Sequence, residues 1–207
     1  NAKLAVGIVT CRELYVNGNQ ITSSSSSGGG SSFVLLPEKS ATGAEVEFTE
    51  IPSDAHEITV MFKGVSALGQ GDFKIQLGTA SAYITSNYDS LSQNEGGGDE
   101  RTATDCFLIR SDGGNRTRTG SMTIKKASSN SYVQTGQFAV NPLNSGNQTY
   151  GSLSSVSGNV DRLKIILAGN DTFDAGTISV SYKTSGGSGS GNYESYIASL
   201  SGNNNIE

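Results

Sequence analysis

Hydrophobic residues along the chain fall in short runs that alternate with polar ones, and alternation with period two predicts half-buried β-strands. Leu4, Val6 and Ile8 alternate, then Leu14 and Val16, up to Asn17-Gly18. An Asn-Gly pair beside alternating runs predicts a hairpin, because both central positions of a type I′ turn need positive φ. From Phe33 onward the expected strands are Phe33–Leu36 (stopped by Pro37), Glu45–Phe48, the run Ile58/Val60/Phe62, the run Phe73/Ile75/Leu77, Ala82–Thr85, Cys106–Ile109, the pair Met122/Ile124, Tyr132–Val140, Leu163–Leu167 and the run Ile178/Val180/Tyr182. Gly and Asn turn signals separate nearly every pair, at 69–71, 96–98, 112–114, 144–146 and 168–170. Many short strands with such punctuation predict an all-β chain built as an antiparallel, jelly-roll-like β-sandwich, not a parallel sheet.

The apolar pattern also divides the chain. Residues 1–22 read as an N-terminal hairpin that cannot bury Leu4, Val6, Ile8, Leu14 and Val16 by itself, since a lone two-stranded hairpin is marginal in water. They are the candidate assembly residues. Residues 23–32 (SSSSSGGGSS) have the composition of a linker. Residues 33–183 form the expected sandwich, and 184–207 a flexible Gly/Ser/Asn-rich tail. Within that tail Tyr193, Tyr196, Ile197 and Leu200 keep the one-sided spacing of a short docking helix. The start at Asn1 predicts a processed chain or a segment of a longer polypeptide.

Composition narrows the function classes. Gly (27), Ser (32), Thr (17) and Asn (16) make up 92 of 207 residues, and charged residues are only 16%. These residue types disfavour helices. A net charge of −5 without a basic stripe argues against a nucleic-acid partner, and no apolar run reaches the roughly 18–20 residues of a membrane span. One histidine (His56, expected at a turn or surface) and two cysteines (Cys11 and Cys106, expected as free thiols) leave little for catalysis, so no enzymatic activity is expected. The sequons at Asn115, Asn147 and Asn170 are chance occurrences in so Asn- and Ser/Thr-rich a chain.

Two loops offer candidate chemistry. Asp171 and Asp174 stand three apart beside Gly176, which suits either a weak calcium site or a turn whose carboxylates bond nearby N–H groups while Phe173 plugs the core. No other cofactor is indicated. The stretch Asn87–Arg101 carries Tyr88, Asp89, Glu95, Asp99 and Glu100 around a glycine triplet. It reads as an exposed tip loop, and those five residues are candidates for contact with a receptor glycan or protein. The turn Arg110–Arg118 reads as a solvated basic hairpin.

Two stretches resemble a known group of proteins. FTEIPSDAHEITVMFKGVSALGQGDFKIQLG (Phe48–Gly78), together with DTFDAGTISVSYK (Asp171–Lys183), resembles a β-sandwich domain of bacteriophage tail-fibre and related virion-appendage proteins. GIVTCRELYVNGNQIT (Gly7–Thr22) is similar to segments of marine and cyanobacterial phage fibre proteins that form interchain β structure. The resemblance implies a structural virion protein located in the extracellular particle. It further implies a homotrimeric fibre segment for host attachment that contacts other virion proteins, and it carries no catalytic residues to transfer. A capsid decoration or head-fibre protein, and a self-assembling extracellular filament that donates residues 3–10 as a strand, are the alternatives.

Overall fold

The computed structural model describes residues 14–16, 19–21, 32–95, 99–111, 113, 116–142 and 145–184. Two units are distinguished, and the larger spans Ser31–Ser185. In the smaller unit, β1 (Leu14–Val16) and β2 (Asn19–Ile21) pair antiparallel across Asn17-Gly18, with Val16 opposite Asn19. That is the two-residue hairpin expected from the Asn-Gly pair. Leu14 and Val16 lie in β1. Leu4, Val6 and Ile8, Cys11 and the helical spacing at 193–200 lie outside the described residues.

Among the described residues the larger unit contains strands and no helix. In chain order the strands are β3 (Ser32–Leu35), β4 (Lys39–Ser40), β5 (Glu45–Phe48), β6 (Ala55–Leu68) and β7 (Phe73–Gly78). Next come β8 (Tyr88–Asn94), β9 (Arg101–Ala103), β10 (Phe107–Ile109), β11 (Thr117–Ser128) and β12 (Ser131–Asn141). The last three are β13 (Ser145–Leu153), β14 (Arg162–Leu167) and β15 (Thr172–Thr184). They form a small sheet ordered β10-β7-β14-β5 and a large sheet ordered β3-β15-β6-β11-β12-β13-β8-β9, with β4 also pairing β15.

This order has a simple origin. With β8, β9, β12 and β13 set aside, the remaining strands pair outermost with outermost: β3 and β4 with β15, β5 with β14, β6 with β11, and β7 with β10. One long antiparallel ribbon has therefore wrapped on itself, joining β15 to β6 and β14 to β7. This is the eight-stranded jelly roll with its two Greek keys. The expected sandwich class is thus correct, and β8, β9, β12 and β13 are an annexe that widens one sheet.

Facing side chains of the two sheets make one core. The Phe62 ring of β6 stands edge-on to Phe73 of β7 at 5.9 Å, and Phe73 meets Phe173 of β15 at 5.9 Å. Val60, Ile75, Ile109, Met122, Ile124, Leu163, Ile165, Ile178 and Val180 are buried among them. The long strands β6 and β15 bend where both bulge. A Cβ on Gly176 (φ +92°) would lie 2.4 Å from the Gly64 carbonyl oxygen, so the two strands approach there closely enough to require glycine at 176.

Three expectations are corrected. Ala82–Thr85 is not a strand, and only Tyr83 makes an isolated bridge, to Gly78. The stretch Asn87–Arg101 is not a single exposed loop, because most of it is β8 and the start of its partner β9. The turn Arg110–Arg118 is not solvated at its ends: Arg110 and Arg118 are buried at 6% and 1% exposure. Arg118 lies with its guanidinium carbon 4.5 Å from the Phe73 ring centroid and donates Nε–H to the Arg110 carbonyl at 3.3 Å. Its long stem packs as an apolar group, and its charge sits over the electron-rich ring face.

The annexe has a structural task that explains its composition. Strand β10 ends the small sheet, and an open strand edge leaves backbone groups without partners. Here side-chain hydroxyls from the opposite sheet take that place. Leu108 donates its N–H to Ser90 Oγ at 2.9 Å, Arg110 donates to Ser92 Oγ at 3.0 Å, and Thr149 Oγ1 donates to the Leu108 carbonyl at 2.6 Å. Gln134 Nε2 in turn donates to Thr149 Oγ1 at 2.8 Å. At Ser90, Ser92 and Thr149 the inward side of β8 and β13 is therefore hydroxyl-bearing, since there it faces backbone and not hydrocarbon.

Candidate functional site

The two outer faces of the sandwich differ in chemistry. On the small sheet Lys74 pairs with Asp105 at 2.8 Å, Arg162 with Asp161 at 2.7 Å and Lys164 with Glu45 at 3.5 Å. Tyr83 donates its hydroxyl to Glu47, and the Lys164 ammonium lies 4.6 Å from the Tyr83 ring centroid. Burial, reinforced by Glu47, pushes the Tyr83 phenol well above its ordinary range and keeps it neutral.

On the large sheet, outward positions of β11, β12 and β13 carry Ser121, Thr123, Thr135, Gln137, Gln148, Tyr150 and Ser152, with Val133 exposed among them. Charges there gather toward the margins. Glu57 pairs with Lys183 at 2.6 Å and with Lys125 at 3.4 Å on one side. The hydrogen bond from Lys183 holds the Glu57 carboxyl below its usual range. Asp89 and Glu95 stand on the other side.

Three shallow clefts adjoin on this face. The largest, about 430 Å³, is lined by Glu95, Gln137, Asn141, Gly146 and Gln148, among others. A second, about 250 Å³, lies between Thr123, Thr135, Gln137 and Tyr150. The third, about 230 Å³, lies between Asp89, Leu91, Tyr150 and Ser152. Tyr150 separates the second and third, and its hydroxyl donates to Gln148 Oε1 at 2.6 Å, which fixes the direction of a ring that is 42% exposed. Glu95 is held by its N–H to the Gly146 carbonyl at 2.7 Å. Its carboxylate lies against Gly146, where a Cβ would come within 2.7 Å of Glu95 Oε2.

The five candidate contact residues separate accordingly. Asp89 and Glu95 lie on this face. Tyr88, one position from Asp89, points the other way. It is 3% exposed, accepts the Leu77 N–H at 2.9 Å and packs edge-on to Phe107 at 5.0 Å, so it is a core residue and not a contact residue. Asp99 is exposed but engaged, accepting Arg110 Nη2–H at 2.9 Å on its carboxylate and Nη1–H at 2.6 Å on its carbonyl. Glu100 is exposed. Tyr150, Gln137 and Gln148 were not among the expected residues. The signal for Tyr150 is slight, the Thr149-Tyr150 pair being the only β-favouring residues in the Asn147–Ser152 stretch.

Asp171 and Asp174 act as latches. Asp171 Oδ2 accepts the Gly71 N–H at 2.5 Å, and the turn at 69–71 folds so closely around it that a Cβ on Gly69 would lie 2.2 Å from the carboxylate. Asp174 accepts the Ser66 hydroxyl across the β6–β15 pairing, and Phe173 between them is buried. Among the described residues no three His, Cys, Asp or Glu side chains are grouped to hold a metal ion. Asp171→Ala is expected to lower stability by about 1–2 kcal/mol, equally with calcium or chelator present. A melting temperature that rises with calcium in the parent chain, and not in the variant, would instead establish a calcium site at Asp171.

The remaining candidates carry no open chemistry. Cys106 is free and fully buried, and burial, with help from Asp105, pushes its thiol up, away from the reactive thiolate. His56 is half-buried within β6, not at a turn.

No family model matches the chain, and no significant match was found among curated proteins or solved structures. The resemblance to phage fibre proteins therefore rests on the quoted motifs alone.

Proposed function

We propose that the chain is a non-enzymatic structural protein of a bacteriophage virion, a trimeric tail-fibre segment whose jelly roll serves in host attachment. The observation that carries this reading is the pairing of a jelly roll, an architecture used by viral capsid and lectin domains, with a broad outer sheet face of hydroxyls, amides and one positioned tyrosine. The fold alone does not assign function, and the motifs at Phe48–Gly78 and Asp171–Lys183 supply the rest. The direct test is labelling of purified virions with antibody raised against the chain. Labelled fibres support the reading, labelled shells favour the capsid decoration alternative, and unlabelled particles reject both.

Assembly has its own surface. Among the described residues β3 ends the large sheet, and it exposes Phe33 and Leu35 at 62% and 58%. An open edge strand with large apolar side chains is a pairing surface. Sedimentation equilibrium of the full chain is expected to give about 64 kDa, three times the 21.4 kDa chain. Leu35→Lys is expected to shift the mass toward the single chain. A parent chain that sediments as a monomer at micromolar concentration rejects the trimer.

A further inference from the structure

We infer that the outer face of β11, β12, β13 and β8 binds an uncharged oligosaccharide, with Tyr150 as the platform for a sugar ring and the cleft over Gly146 as a neighbouring subsite. The inference rests on the attachment reading of this face and names the class of ligand it takes.

The chemistry of the face selects that class. Between the Glu57–Lys125–Lys183 cluster and the Asp89/Glu95 margin, the outward side chains are mostly hydroxyls and amides, with one phenol ring and the apolar Leu91, Val133 and Ala139 among them. Such groups complement a polyhydroxylated, uncharged ligand by exchanging hydrogen bonds in both directions, since hydroxyls and primary amides each donate and accept. A phosphorylated, sulfated or carboxylated ligand would meet the Asp89 and Glu95 carboxylates with no cation between them and Tyr150. A peptide strand would need an open edge, whereas β11, β12, β13 and β8 are each paired on both sides.

The shape agrees. Four neighbouring strands span about 14 Å, the length of a short oligosaccharide; the clefts on either side of Tyr150 lie side by side across them, and the cleft over Gly146 lies further along β12 and β13. The Tyr150 ring is exposed and held by its hydroxyl on Gln148 Oε1. A fixed aromatic offers contact area with little side-chain entropy left to lose, and its apolar face suits the C–H surface of a pyranose. Gly146 has no side chain, so the adjoining cleft keeps a floor of backbone under Glu95, whose carboxylate can accept from two neighbouring sugar hydroxyls.

The test uses the full 207-residue chain in affinity electrophoresis through gels containing neutral polysaccharides (dextran, mannan, galactan and a β-glucan) and anionic ones (chondroitin sulfate and polygalacturonate). Retardation is expected in at least one neutral gel. Tyr150→Ala and Gly146→Thr are each expected to weaken it at least tenfold, and Tyr150→Phe by less than threefold. Both weakening sites lie on the outer face, and the Gly146→Thr methyl and hydroxyl displace only the end of Glu95, so unchanged melting temperatures are expected. The inference is overturned by no retardation in any neutral gel, by stronger retardation in the anionic gels, or by variants that bind as the parent does. It is also overturned if Tyr150→Ala splits an oligomer, which would make the face a contact between copies. Labelled virions without polysaccharide binding remove this inference alone. Polysaccharide binding by a chain that does not label virions removes the virion reading instead.

Discussion

Phe73→Ala is expected to destabilise the jelly roll by about 4–5 kcal/mol, at the upper end for truncation of a buried aromatic. Phe73 is fully buried between the sheets, in contact with Phe62 and Phe173 at 5.9 Å each. Its removal leaves a cavity where β6, β7 and β15 meet. It also takes away the ring beneath the Arg118 guanidinium, an interaction worth about 2 kcal/mol when desolvated. Because Arg118 is only 1% exposed, its charge cannot turn to water without opening the β10–β11 connection. A domain of this size has about 5–15 kcal/mol in total, so the variant stands near the limit of folding. Urea unfolding of Phe73→Ala and Phe73→Leu measures the effect, and the leucine variant, which keeps most of the volume, should lose less than half as much. A loss below about 1.5 kcal/mol for alanine, the range of volume-conserving swaps, would contradict this packing.

Thr149→Val is expected to cost about 2–4 kcal/mol, although valine has almost the same shape. Thr149 Oγ1 donates to the Leu108 carbonyl and accepts from Gln134 Nε2, and Thr149 is fully buried. Valine leaves both partners buried without a bond, at about 1–3 kcal/mol for each group. The same replacement at Thr123, on the outer face, should stay within about 0.5 kcal/mol. The contrast separates hydroxyl loss in the seam from the general effect of Thr→Val in a strand. Equal effects at the two sites would mean that β10 does not depend on side-chain partners.

The same seam explains why parts of the fold were hard to read along the chain. In β5, β6, β7, β11, β14 and β15 most inward residues are Val, Ile, Leu, Phe and Met, and their alternation marks the strands. In β8 and β13 the buried inward residues between Tyr88 and Leu153, the apolar ones at the ends, are Ser90, Ser92, Asn147 and Thr149. Their hydrophobic period is absent because they face the backbone edge of β10. Read along the chain, β8 therefore resembles a tip loop with Tyr88 outside, although Tyr88 belongs to the core, and β13 gives no strand signal around Tyr150. Arg110 and Arg118 defy the pattern for a related reason: charge along a chain reads as solvent exposure, whereas the Phe73 ring, backbone carbonyls and Asp99 receive these two guanidinium groups in the interior.

The all-β, antiparallel, sandwich-forming character is legible along the chain alone, because alternation and Gly/Asn turns are local properties of the backbone. So is the Asn17-Gly18 hairpin, whose turn chemistry needs nothing beyond its own residues. Only the tertiary structure decided which strands are neighbours, that the polar inner side of the annexe closes the small sheet, and which carboxylates and aromatics share an outer face. Those outcomes depend on pairs such as Leu108 with Thr149 and Gly71 with Asp171, 41 and 100 residues apart. Contacts at that separation leave no periodic trace in either partner's own segment.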